Sequence, residues 1–268
     1  MFTVTDAQIN AWLAVLLWPF FRILGVMSVD PFLSTRGIPV RVRIGLAMMM
    51  TILIANTIPP MPKVPAISAL GMVIIMEQIV IGAALGYVMR IVFTSIEMAG
   101  NMIGLQMGLG FASFFDPQHG ANTAVVAQLA SLLTLLLFLS MDGHLVVIQT
   151  MVKSFELIPI SDQIMTAGAL KTLVSWSGEI FKMGVLLALP VLAALLITNL
   201  SIGVMNRAAP QFNVFAVGFP LTMSVGFAAL YFSLPQFAGH VHRLVIEATQ
   251  MAYALAHQMG GAAAVPKP

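Results

Sequence analysis

Residues 97–122 read EMAGNMIGLQMGLGFASFFDPQHGAN, and the rest of the chain is organised around this stretch. Gly100, Gly104, Gly108 and Ala112 recur every four residues. In a helix they form one smooth face that a neighbouring helix backbone can approach closely, so they predict a packing or assembly surface. Glu97 and Asn101 lie four apart on that helix and Gln106 adds an amide, polar groups that need protein partners in an otherwise apolar segment. The helical pattern then fails. Phe111, Phe114 and Phe115 crowd together, and Asp116-Pro117 followed by His119-Gly120 is turn chemistry. Three large rings in a connecting segment gain nothing from water, so they fill a cavity, a pore or a subunit interface.

Composition sets the surroundings of that segment. The chain has 268 residues, 59% of them hydrophobic and only 8% charged, against about 25% charged in soluble domains. With a mean hydropathy of +0.98 it reads as an all-α polytopic membrane protein in one domain. Its apolar runs suffice for about six or seven helices of ~20 residues. There is no cysteine, so disulfides and thiolate metal sites are excluded, and the five His are scattered. A net charge of +2, with the basic residues in connecting segments, does not point to nucleic acid.

In chain order, Asp6 and Asn10 are candidate caps of a first helix over about 9–29, with Pro19 and Arg22 inside it. Arg22 at mid-depth either snorkels to the interface or faces a polar partner. Asp30-Pro31 ends that helix, and Arg36, Arg41 and Arg43 mark the next connection as cytoplasmic. A second helix over about 40–57 ends at a proline run. The apolar run from 66 to 112 has no break and reads as one long, bent or re-entrant element, with Gly82 and Gly86 extending its small-residue theme and Glu77 and Arg90 each needing a partner elsewhere. Gly143 marks a break after a helix from about 122, and residues 165–174 suit a short interfacial helix. Two final runs, 179–205 and 214–234, flank Met205-Asn206-Arg207-Ala208-Ala209-Pro210-Gln211-Phe212-Asn213 and form a helical hairpin, with a continuation past Pro235 to about 259. Arg207, Pro210, Gln211 and Asn213 in this turn either cap the helix ends or engage a partner.

No HExxH, GxxxxGK[ST] or CxxC is present, so neither a catalytic nor a metal site is expected. Proton-coupled solute transport through Glu77, Glu97, Asp142 and the His residues, and a purely structural membrane scaffold, stay open as alternatives.

Two motifs carry a resemblance. Asn101-x-x-Gly104 through Ala112-Ser113-x-x-Asp116-Pro117, and Arg207-Ala208-Ala209-Pro210-Gln211-Phe212-Asn213-Val214-Phe215-x-x-Gly218-Phe219-Pro220-Leu221, are similar to the FliR family of type III secretion export-gate subunits, related to the SctT branch of virulence systems. The Gly-Phe-Pro-Leu ending resembles the flagellar branch. The resemblance covers essentially the whole chain. It implies an inner-membrane subunit of the flagellar basal body that assembles with FliP and FliQ, receives FlhB and works beside FlhA to pass unfolded flagellar proteins. It also implies a FliP-like part over 1–178 followed by a FliQ-like hairpin over 179–259, no enzyme activity and no cofactor. By match, residues 111–120, with Phe111, Phe114, Phe115, Asp116 and Pro117, correspond to a segment that plugs the pore.

Overall fold

In a computed structural model, the structure describes residues 5–35, 37–62, 64–111, 125–161, 167–210 and 214–260. Among these, α-helices account for all regular structure apart from one 3-10 turn. The helices are α1 (Asp6–Val29), α2 (Val40–Ile54), α3 (Ala69–Gln106), α4 (Val125–Ser140), α5 (Gly143–Leu157), α6 (Ala167–Trp176), α7 (Glu179–Ala208) and α8 (Val214–Met259).

The first helix starts earlier than its apolar pattern suggests. Thr5, in extended backbone, is the N-cap, and its N–H donates to Gln8 Oε1 at 3.1 Å. Asp6 is therefore the first helical residue and Asn10 lies inside the helix; the three-residue Thr-to-Gln spacing of a capping box outcompetes both as the start signal. The helix runs through Pro19 and ends at Asp30, whose Oδ1 accepts the N–H groups of Phe32 and Leu33, each at 3.0 Å. Beyond it, Arg43 fastens the connection by donating from Nε to Leu33 O at 3.1 Å.

Six or seven membrane-length helices were expected; among the described residues four segments are long and apolar enough to cross a membrane, or five if α4 and α5 count as one bent span. Two effects account for the difference. The 15 residues of α2 reach only about 22 Å at 1.5 Å per residue, short of a ~30 Å hydrocarbon core. Conversely, the run after residue 66 is one unbroken 38-residue helix, and α8 continues through Pro220 and Pro235 for 46 residues. A proline removes one backbone donor, which a long apolar helix tolerates. The bend between α4 and α5 is 69°. It is made at Asp142, with φ 56°, one residue before the expected Gly143, which opens α5.

The chain forms two compact units that interleave along the sequence: Met1–Ile91, Asp142–Ser177 and Val245–Pro268 in the first, Val92–Met141 and Gly178–Leu244 in the second. One edge between them falls at Ser177/Gly178. The first unit includes the far end of α8, and the second includes the C-terminal half of α3.

In the first unit, α1 and α3 cross with their backbones almost touching. A Cβ on Gly25 would lie 2.7 Å from Ile79 O, and one on Gly86 would lie 2.7 Å from Val26 O. A Cβ on Gly82 would collide with Arg22 O. Trp18, Ile23, Ile74, Ile81 and Phe155 are buried in this unit.

Candidate functional site

Arg22 settles the choice left open by its position in an apolar helix. It is fully buried and meets protein partners instead of snorkelling. Its Nε donates to Gln78 Oε1 on α3 at 2.7 Å, Nη1 to Ser154 O at 2.9 Å and Nη2 to Ile158 O at 2.9 Å. The guanidinium carbon also sits 4.4 Å from the centroid of the Phe155 ring. The two carbonyls belong to the C-terminal end of α5: Ser154 O also accepts the Ile158 N–H that closes the helix, and Ile158 O lies just past the last helical residue, where the helix end leaves a carbonyl without an intrahelical donor. One guanidinium thus binds three helices of the first unit, with Glu77 supplying a compensating opposite charge. Sequence reasoning singled out the charge; its partners are two backbone carbonyls and an amide, for which a linear pattern gives no signal.

The glycine segment lies in the second unit. The face predicted by Gly100 and Gly104 is buried, and a Cβ on Gly100 would lie 2.5 Å from Ala127 Cα, so at Gly100 the close approach is to α4 of the same chain. Asn101 is half-buried. Glu97 is exposed and accepts a hydrogen bond from Ser131 Oγ at 3.0 Å. Below the glycines, Ala99, Ile103 and Met107 form a core with Val126 of α4 and Ala188, Val191 and Leu195 of α7, against which Ala229 and Leu230 of α8 also pack. The hairpin of α7 and α8 is therefore docked on the end of α3.

That end is defined by two glycines. Gly108 has φ 83°, a left-handed conformation that glycine adopts without a steric penalty, and its N–H donates to Leu105 O at 3.0 Å. On α8, Gly226 leaves room for Met107, whose Cγ would lie 2.6 Å from a Cβ there. Thr222 Oγ1 donates to Met107 O at 3.4 Å. After Gly108 the chain makes one 3-10 turn, Leu109–Phe111. The expected site residues Ala112, Phe114, Phe115, Asp116 and Pro117 lie outside the described residues, as does the side chain of Phe111.

In the α7–α8 connection, Arg207 is exposed in the last turn of α7, where a positive charge suits the helix C-terminus. The N–H of Ala209 closes that helix on Met205 O at 2.9 Å, and Pro210 is exposed. Gln211 and Asn213 lie outside the described residues. Among the described residues no three His, Asp or Glu side chains are grouped to hold a metal ion.

The family model for bacterial export proteins, family 1, matches residues 13–248. The chain is 41% identical over 247 residues to the flagellar biosynthetic protein FliR of Escherichia coli (strain K12), covering 92% of this chain and 94% of that protein. It is 42% identical over 250 residues to the protein of the same name from Pectobacterium carotovorum subsp. carotovorum, with coverage of 92% and 95%. At greater distance, it is 28% identical over 214 residues to FliR of Bacillus subtilis (strain 168), covering 79% and 82%.

Proposed function

Because this chain belongs to the bacterial export proteins of family 1, with relatives named flagellar biosynthetic protein FliR, we propose that it is a core subunit of the flagellar type III export gate. In this reading it sits in the bacterial inner membrane at the flagellar basal body. With FliP and FliQ it forms the pore for unfolded flagellar proteins, and it works beside FlhB and FlhA. Its work is passage and gating, with no covalent chemistry, and the FliP-like and FliQ-like parts divide near residue 178.

The segment Phe111–Gly120 acts as the plug, with Phe111, Phe114 and Phe115 as its apolar stopper and Asp116-Pro117 at its tip. The observation that supports this most directly is the end of α3. Gly108 breaks the helix in a left-handed conformation three residues before Phe111, and Met107 just before it is anchored in the core of the second unit. Gly108, free of Cβ constraints, lets the chain change direction immediately after this fixed point. Asn101, half-buried beside the glycine face, belongs to the surface used in subunit assembly. Arg207, Pro210, Gln211 and Asn213 form a cytoplasmic turn that engages a partner of the gate.

The test is membrane conductance in cells that express the chain with its partners and with residues 111–120 shortened. Export with an added leak of small ions is expected. An assembled complex with no added leak overturns the plug. For the assembly surface, Asn101→Leu should lose partner subunits in a detergent pull-down while the chain itself still accumulates.

A further inference from the structure

The second unit contains an open cavity of about 510 Å³ between α3, α4, α7 and α8. This lies within the ~300–1,000 Å³ range of ligand sites and far exceeds the water-sized voids of packed interiors. Gly100, Ile103, Leu133, Pro190 and Phe227 are among its walls. Its polar side chains all come from α8: Tyr231, Ser233, Gln236 and His240. Ser233 is already committed, donating to Ala229 O at 2.8 Å.

The cavity therefore has an apolar body and a polar end. His240 Nδ1 lies 2.8 Å from Gln236 O; a carbonyl only accepts, so the ring proton is on Nδ1 and Nε2 is left as an acceptor. Gln236, His240 and Arg243 follow at i, i+4 and i+7, one face of the helix, and His240, His242 and Arg243 are all exposed. An apolar trough with a polar mouth, and the Arg243 guanidinium one turn beyond it on the same helix face, matches an amphiphile with a negative headgroup. All four helices around it belong to segments long and apolar enough to cross a membrane, apart from α4, which reaches that length together with α5.

We infer that this cavity binds one acyl chain of an anionic phospholipid, with the headgroup phosphate held at Arg243 and a headgroup hydroxyl donating to His240 Nε2. Basic side chains near a membrane surface favour anionic lipid by about 1 kcal/mol each, whereas a helix from another protein would need no positive charge at the mouth. The site is independent of the plug and would serve to fix this part of the chain to its lipid surroundings.

The test uses the full chain purified into nanodiscs with phosphatidylglycerol or phosphatidylcholine bearing a diazirine on one acyl chain. Photolabelled peptides should map to the cavity walls around Leu133 and Phe237, with about fivefold more adduct from phosphatidylglycerol, the ratio that one basic side chain supplies. His240→Ala with Arg243→Ala should bring the two lipids level. Leu133→Trp, which fills the trough, should abolish the adducts of both lipids; Ala130→Phe repeats the test from another position should the Trp variant fail to fold. Equal labelling by both lipids overturns the inference, as does labelling of the exposed Leu53 on α2 as strongly as of the cavity. In the assembled complex, cross-links from the cavity to another protein in place of lipid would also overturn it.

Discussion

Arg22 Nε and Gln78 Oε1 meet at 2.7 Å with neither side chain reaching solvent, which places a charged hydrogen bond between α1 and α3 beside the Gly82 crossing. The backbones approach closely enough for this reach because Gly82 has no side chain to hold them apart. Packing and polar contact thus depend on one another at this point.

Gln78→Leu removes one acceptor and leaves the guanidinium buried, at an expected cost of about 1–3 kcal/mol. Arg22→Ala should cost more, because Ile158 O loses its side-chain donor, Ser154 O keeps only the Ile158 N–H, and Phe155 loses its stacked cation. Thermal melts in one detergent, with both variants beside the parent chain, measure the order; equal melting temperatures for parent and Gln78→Leu would contradict the arrangement.

The glycines divide into two groups with opposite expected signs. Gly82→Ala should destabilise the first unit by several kcal/mol, since its Cβ meets backbone, which moves only with the whole helix. Gly203→Ala on α7 meets nothing within 4 Å and should stabilise by about 0.5–1 kcal/mol through helix propensity. Protease resistance of the two variants separates them directly.

Burial raises the Asp30 carboxyl from 3.8 to about 6, against the opposing effect of the Leu33 and Phe32 N–H groups that its Oδ1 accepts. Its other oxygen, Oδ2, is buried without a hydrogen-bond partner. The folded state therefore holds the proton more tightly than the unfolded chain. This contribution to stability is fully present below about pH 4, falls as pH rises through 4 to 6, and at neutral pH is a penalty of about 3 kcal/mol. Asp30→Asn keeps the acceptor and removes the charge, so it should melt higher than the parent at pH 7.5 and equal it near pH 4. A parent chain that instead gains stability between pH 4 and 7, relative to Asp30→Asn, would reverse the sign and refute the assignment.

Gly108→Ala places a Cβ on a residue with φ 83° and should cost about 1–2 kcal/mol. The loss should show as earlier exchange of amide hydrogens at the end of α3, with α1 and its crossing unaffected.

Much of the helical architecture was legible because apolar runs and turn residues act locally. Asp30-Pro31, the 66–112 run and the α7–α8 turn all fall where their local chemistry places them. Helix count was less legible: Pro235 reads as a boundary, yet the surrounding apolar pattern carries α8 through it. The partners of Arg22 were not legible at all, since a carbonyl at a helix end carries no residue signature and lies 132 positions away. At Gly100 the pattern identified a close approach without identifying the neighbour, because a small side chain admits any backbone, its own chain's included. The plug and turn residues, grouped by motif, depend for their role on surroundings that a single chain does not supply.

The 46 continuous residues of α8 amount to a helical contour of about 69 Å, more than twice the thickness of a bilayer's hydrocarbon. No tilt within the usual range hides such a length in lipid, and stretching the membrane to match would be prohibitively costly. Thickness matching, which positions an ordinary single-span anchor, therefore leaves this helix without a fixed depth. Its height relative to the membrane has to be dictated by the proteins around it.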